Sequence, residues 1–144
     1  MEPIHRFEFV VPPESIDELG HVNNLEYLRW ILDAAFSHSG AVGCTDATLS
    51  AGAAWVVRSH KIEYLRPAFA GDSIVVLTWV SNFRKVRSLR KYRVFRAEDG
   101  ALLTRGETDW VYVDAASGKL RAVPPEIIRC FELVPEEHEP VALA

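Results

Sequence analysis

A chain of 144 residues with a net charge of −4 holds one domain's worth of sequence and can close a hydrophobic core without disulfides or metals. Its acidic balance excludes nucleic-acid binding through overall charge, and no run of about 18 apolar residues is present to span a bilayer. Cys44 and Cys130 lie in no ligand spacing, and Met-Glu-Pro-Ile-His-Arg at the N-terminus is not a secretory signal; reduced thiols and a cytoplasmic location are expected.

Residues 5–11 alternate polar and apolar and predict a strand, which Pro12-Pro13 ends because proline offers no ladder N–H. A loop over 14–22 follows. Asn23 or Asn24 then makes a helix cap; with Asn23, Glu26 stands in capping-box spacing, and the helix runs to about Ser39 before Gly40 and Gly43. Its polar positions, Glu26, Arg29, Asp33 and Ser37, form one narrow stripe, so most of the helix should be enclosed by other structure. Residues 44–52 are a small, polar connector with room for one helical turn. Four β-rich runs come next, near 54–66, 73–84, 86–98 and 101–114, punctuated by Gly71-Asp72 and Asp99-Gly100. A short helix is expected near 126–132. The single domain spans 1–134, and the acidic, proline-containing tail 135–144 is expected to fray.

The class is therefore α+β: a five-stranded, mostly antiparallel meander with one long helix. One helix covers one face of a curved sheet. The other face and the sheet edge call for a second copy, so a homo-oligomer is expected.

The chemistry concentrates in Asp17-Glu-Leu-Gly20-His21-Val-Asn23-Asn24-Leu25-Glu-Tyr27. A carboxylate and an imidazole stand four residues apart in a glycine-containing turn that runs into a helix start. Helix starts present unpaired N–H groups and partial positive charge. A carboxylate facing them is a minimal kit for hydrolysing an acyl compound: a base or nucleophile, plus donors for the developing oxyanion.

Asp17-x-x-Gly20-His21-Val-Asn23-Asn24-x-x-Tyr27-x-x-Trp30, with Ile62-Glu63-Tyr64-x-x-Pro67-x-x-x-Gly71-Asp72, resembles the hotdog-fold thioesterases of the 4-hydroxybenzoyl-CoA and acyl-carrier-protein (ACP) thioesterase type. The resemblance implies a curved five-stranded antiparallel sheet wrapped around one long central helix. It also implies a homodimer, able to pair into a tetramer, with active sites at the subunit contact near the helix start. The implied activity is an acyl-CoA thioesterase that releases a free acid and CoA, with no metal and no cofactor beyond the CoA of the substrate. An acyl-ACP thioester is the other substrate form. Leu19 stands where plant acyl-ACP relatives carry an asparagine.

On this resemblance Asp17 acts as nucleophile or general base, and amides around Asn24 and Leu25 polarise the carbonyl. His21 orients water, donates to the leaving sulfur or holds the turn. Glu63 is either a second base or a paired strand carboxylate. Tyr27 is core or pocket wall. Seven basic residues fall within positions 84–96. Arg84, Lys85, Arg87 and Arg90 among them could grip the CoA phosphates or blunt a sheet edge. Neither nucleic acid nor membrane is expected as a partner. A hydratase or dehydratase on the same frame and a non-catalytic acyl-CoA-binding module are the alternative functions. The helix carries no histidine before His38, which disfavours the hydratase.

Overall fold

The computed structural model describes residues 2–143. Strand β1 (His5–Val10) leads through a single 3-10 turn (Pro13–Ser15) and the Asp17 loop into helix α1 (Asn24–Ala41). Helix α2 (Cys44–Ser50), two turns long, fills the connector. Strands β2 (Ala53–Tyr64), β3 (Ser73–Arg84), β4 (Arg87–Arg96) and β5 (Leu102–Asp114) follow, then a short helix α3 (Pro125–Ile128).

Of the two asparagines, Asn23 caps α1, Oδ1 accepting from the Leu25 amide at 2.9 Å. The expected capping box does not close: the Glu26 carboxylate turns to Arg29 at 3.5 Å instead. Tyr27, Trp30, Ile31, Ala34, Ala35 and His38 face inward, at the three- and four-residue intervals of one helix face. Leu25 and Phe36 remain 74% and 59% exposed, so a single copy does not enclose the whole helix.

The sheet order is β1-β3-β4-β5-β2, with every pair antiparallel. This corrects the expectation of a simple meander. Only β3, β4 and β5 follow that pattern; β2 pairs with β5 at the far edge, and the chain crosses back through 65–72 to start β3 beside β1. The crossing segment is tied down by Ala68, which is fully buried. Its carbonyl accepts from Val22 N at 3.0 Å and its amide donates to Tyr27 Oη at 2.8 Å. These bonds hold the start of α1 against the end of β2.

The inner sheet face packs Ile74, Val76, Tyr92, Val94 and Leu103 against α1, and burying each such side chain contributes about 1.5–3 kcal/mol. The outer face carries Val75, Leu77, Trp79 and Phe95 under Val134. The acidic tail meets β4 at Glu139. Val134 N donates to Val80 O at 3.1 Å, and the Glu139 carboxylate pairs with Lys91 at 2.6 Å and Arg93 at 3.4 Å. Composition hid this because the cations sit on a strand some 46–48 residues away. No helix among the described residues is long and apolar enough to cross a membrane.

Candidate active site

The Asp17 turn is built from its own backbone. Asp17 N donates to His21 O at 2.7 Å, and Gly20 N to Asp17 O at 3.1 Å. Gly20 sits at φ +81°, a left-handed conformation in which glycine has no Cβ penalty. Asp17 Oδ1 accepts from the amides of Leu19 at 2.9 Å and His21 at 3.3 Å, a local turn lock of the kind short carboxylates make. The second oxygen, Oδ2, accepts no hydrogen bond among the described residues. A bridge between Ile16 and Val22 closes the loop, and Asn23 N donates to Ser15 O at 2.9 Å.

That turn forms one wall of a cavity of about 480 Å³ lined by Asp17, His21, Asn24, Tyr27, Tyr64 and Arg66 together with flanking residues. Asn24 is the first residue of α1, and its amide finds no acceptor among the described residues. The next amide, Leu25 N, is taken by the cap. Tyr64 Oη donates to Asn24 O at 3.2 Å and fixes the far wall. Burial pushes the Tyr27 phenol above its ordinary range, partly offset by the Ala68 amide. The His21 ring stands edge-on to Phe69, centroids 5.5 Å apart. Two residues of the cavity wall thus hold an unbonded carboxylate oxygen and an unbonded helix-start amide, groups of the kind acyl hydrolysis needs.

The other sequence-picked residues are placed differently. Glu63 is exposed and meets Arg105 at 3.5 Å, in a charged groove with Lys61, Lys91, Arg93 and Glu107. Successive strand residues point to opposite faces, so Tyr64 enters the Asp17 cavity while Glu63 leaves it. Leu25 contributes no wall of the cavity.

The basic run is not one surface patch. Arg84 and Lys85 are exposed at the β3–β4 turn. Arg87 is tied to Asp109 at 2.6 Å. Arg90 is turned inward and only 3% exposed. Arg87 and Arg90 have opposite parity on β4, so Arg90 does not share the exposed surface of the other three. Tyr64 and Arg66 are cavity residues that the sequence reading passed over. Their signal was the Ile-Glu-Tyr-Leu-Arg-Pro string itself, whose Tyr and Arg carry polar groups just past the strand end. Among the described residues no cluster of three His, Cys, Asp or Glu side chains gathers to hold a metal ion.

A family model described as the thioesterase-like superfamily matches residues 11–131, which includes the Asp17 turn, α1 and every strand except β1. The chain belongs to the thioesterase-like superfamily. Among relatives of this superfamily member, an acyl-CoA thioester hydrolase, YbgC, of Escherichia coli O6:H1 is 31% identical over 86 residues, 60% of this chain and 63% of that protein. The L-carnitine dehydrogenase/betainyl-CoA thioesterase of Agrobacterium fabrum is 27% identical over 138 residues, 95% of this chain and 28% of that protein. The chain spans 25%, 19% and 28% of the length of three of the curated relatives it matches. Among solved structures, a 1,4-dihydroxy-2-naphthoyl-CoA thioesterase from Synechocystis superposes with a TM-score of 0.80 at 22% identity, over 88% of this chain and 94% of that one. That likeness shows the hotdog fold.

Proposed function

We propose that this member of the superfamily is an acyl-CoA thioesterase whose reacting group is Asp17. The observation that carries the reading is the shared cavity: Asp17 and Asn24 both line it, and Asp17 Oδ2 and the Asn24 amide are both unbonded among the described residues. A relative named as an acyl-CoA thioester hydrolase and another named as a betainyl-CoA thioesterase support a CoA ester, and relatives named as acyl-[acyl-carrier-protein] hydrolases keep a carrier-protein ester as the other substrate form.

In the proposed reaction the thioester carbonyl lies between these groups. Asp17 Oδ2 attacks the carbonyl carbon, or takes the proton of a water that attacks it. The Asn24 amide and the positive end of α1 stabilise the oxyanion. The C–S bond then breaks and the CoA sulfur leaves as a thiolate that takes up a proton. Water supplies the oxygen of the released acid. A thiolate is a good leaving group, so this chemistry calls for no metal or redox cofactor. Arg66 is the cation on the cavity wall and the candidate for the first CoA phosphate. His38, the only histidine of α1, is buried beside Arg90 and is not among the residues that line the Asp17 cavity, which supports hydrolysis over hydration.

The active assembly on this reading is a homodimer joined through β2, an edge strand with Val56 and Val57 45% and 40% exposed. Unpaired edges of this kind pair with a second copy.

Asp17→Asn tests the assignment cleanly. Asparagine keeps an Oδ1 acceptor for the Leu19 and His21 amides and loses only the charge. Thiol release from a panel of acyl-CoA esters should fall by about 10²–10⁴-fold in kcat, with an unchanged melting curve. Near-normal turnover removes Asp17 from the chemistry.

A further inference from the structure

A second cavity, of about 250 Å³, lies under α2 at the C-terminal half of α1 and shares no lining residue with the Asp17 cavity. Phe36, Trp55, Phe83, Trp110 and Phe131 make its walls, and Arg90 belongs to its lining. An aromatic box of this kind ordinarily suits a cation. Here the box already contains one.

Arg90 is buried without a carboxylate partner among the described residues. Both of its hydrogen bonds leave Nη1: one to His38 Nδ1 at 2.9 Å and one to Thr78 Oγ1 at 3.1 Å. Nε and Nη2 donate to nothing among the described residues. The guanidinium carbon lies 5.5 Å from the Phe131 ring centre. A guanidinium does not shed its proton to escape burial, and a buried charge without a counter-charge is strongly unfavourable. The cavity therefore offers one guanidinium among apolar walls, and none of its lining residues carries a negative charge.

We propose that this cavity binds the carboxylate end of a small apolar compound, with the carboxylate paired to the Nε–Nη2 edge of Arg90. A guanidinium edge meets a carboxylate through two parallel N–H···O bonds. Benzene fills a cavity of about 150 Å³, so this one takes an occupant of roughly ten non-hydrogen atoms. The carboxylate can belong to a free acid, or to the far end of the acyl group of a thioester. Only the second source rests on the thioesterase reading.

Calorimetric titration of the full chain with hexanoate, hexanamide and butyltrimethylammonium tests the cavity without any turnover. Hexanoate should bind at least about tenfold tighter than hexanamide, a difference of about 1.4 kcal/mol, and the ammonium compound should not bind. Arg90→Met removes a buried unpaired charge for an apolar chain of similar length, a change that cores accept, and should abolish the preference. Leu49→Trp, at a cavity residue that is 70% exposed, should block hexanoate from the mouth while leaving the core intact. Equal affinity for acid and amide, or hexanoate binding unchanged in both variants, overturns the proposal. The kcat/KM ratio of adipoyl-CoA to hexanoyl-CoA then separates the sources. A ratio that collapses in Arg90→Met assigns the carboxylate to the acyl group; an unmoved ratio alongside lost hexanoate binding assigns it to a free acid. A chain that hydrolyses neither ester refutes the catalytic reading, and the calorimetry still decides the cavity.

Discussion

At the scale of single residues, chemistry was legible where it was contiguous. Asp17, His21 and Asn24 fall within eight positions of one another and the fold brings all three to one cavity. Tyr64 and Arg66 come from a distant strand end, and only the crossing at 65–72 delivers them. Arg90 was misread because β4 carries basic residues at both parities, so its pattern does not say which face is inside. His38 gives this buried cluster a measurable signature. Burial foremost, then the Arg90 charge and the nearby His5, depress its pKa to about 3. The unfolded chain binds a proton there below about 6.5 while the folded chain does not. Stability is therefore complete above about pH 6.5 and declines as the pH falls toward 3, with a slope from this group approaching about 1.4 kcal/mol per pH unit. His38→Gln keeps a neutral acceptor for Arg90 Nη1 and cannot titrate. Denaturant melts at pH 7, 5.5 and 4 should show a shallower loss in the variant than in the parent; parallel declines would mean that His38 is protonated in the fold.

Among the elements, the sequence located five strands and the long helix to within a few residues, because β-branched and aromatic runs end at glycine or proline and the helix starts at an asparagine cap. The order of strands was not legible. It depends on how the chain from Leu65 to Asp72 crosses the start of α1, and that path is set by the Ala68 hydrogen bonds to Val22 and Tyr27, which no local pattern announces. The same junction sets the cap of α1 beside the groups that react in the proposed mechanism. Asn23→Ala removes the Oδ1 that holds Leu25 N. The expected cost is about 1 kcal/mol, a fall of roughly 3 °C in Tm for a chain of this size. The variant also frees the Leu25 amide, next in the chain to the Asn24 amide of the cavity wall. Thermal unfolding followed by circular dichroism checks the first effect, and a change in KM for the acyl-CoA ester, measured below the transition, checks the second.

For the whole molecule the open question of assembly has a structural focus. Strand β2 forms one sheet edge, and Val56, Val57 and the nearby helix residues Leu25 and Phe36 keep large exposed apolar surfaces. Two copies of β2 running antiparallel about a two-fold axis would bury each copy's edge against the same edge of the other, the isologous arrangement that closes at two subunits. Such pairing places the start of one β2, which walls the Arg90 cavity through Ala53 and Trp55, beside the end of the other, which walls the Asp17 cavity through Tyr64. Val57→Lys puts a charge near the axis in both copies at once, so the repulsion acts twice on the dimer and hardly at all on a single chain. Sedimentation velocity at micromolar concentration should then show a monomer with unchanged far-ultraviolet circular dichroism. If the acyl group spans both cavities, thioester hydrolysis falls with the dimer and recovers as protein concentration rises. A monomer with full turnover would place the whole reaction within one chain, because no wall of the working site could then come from a second copy.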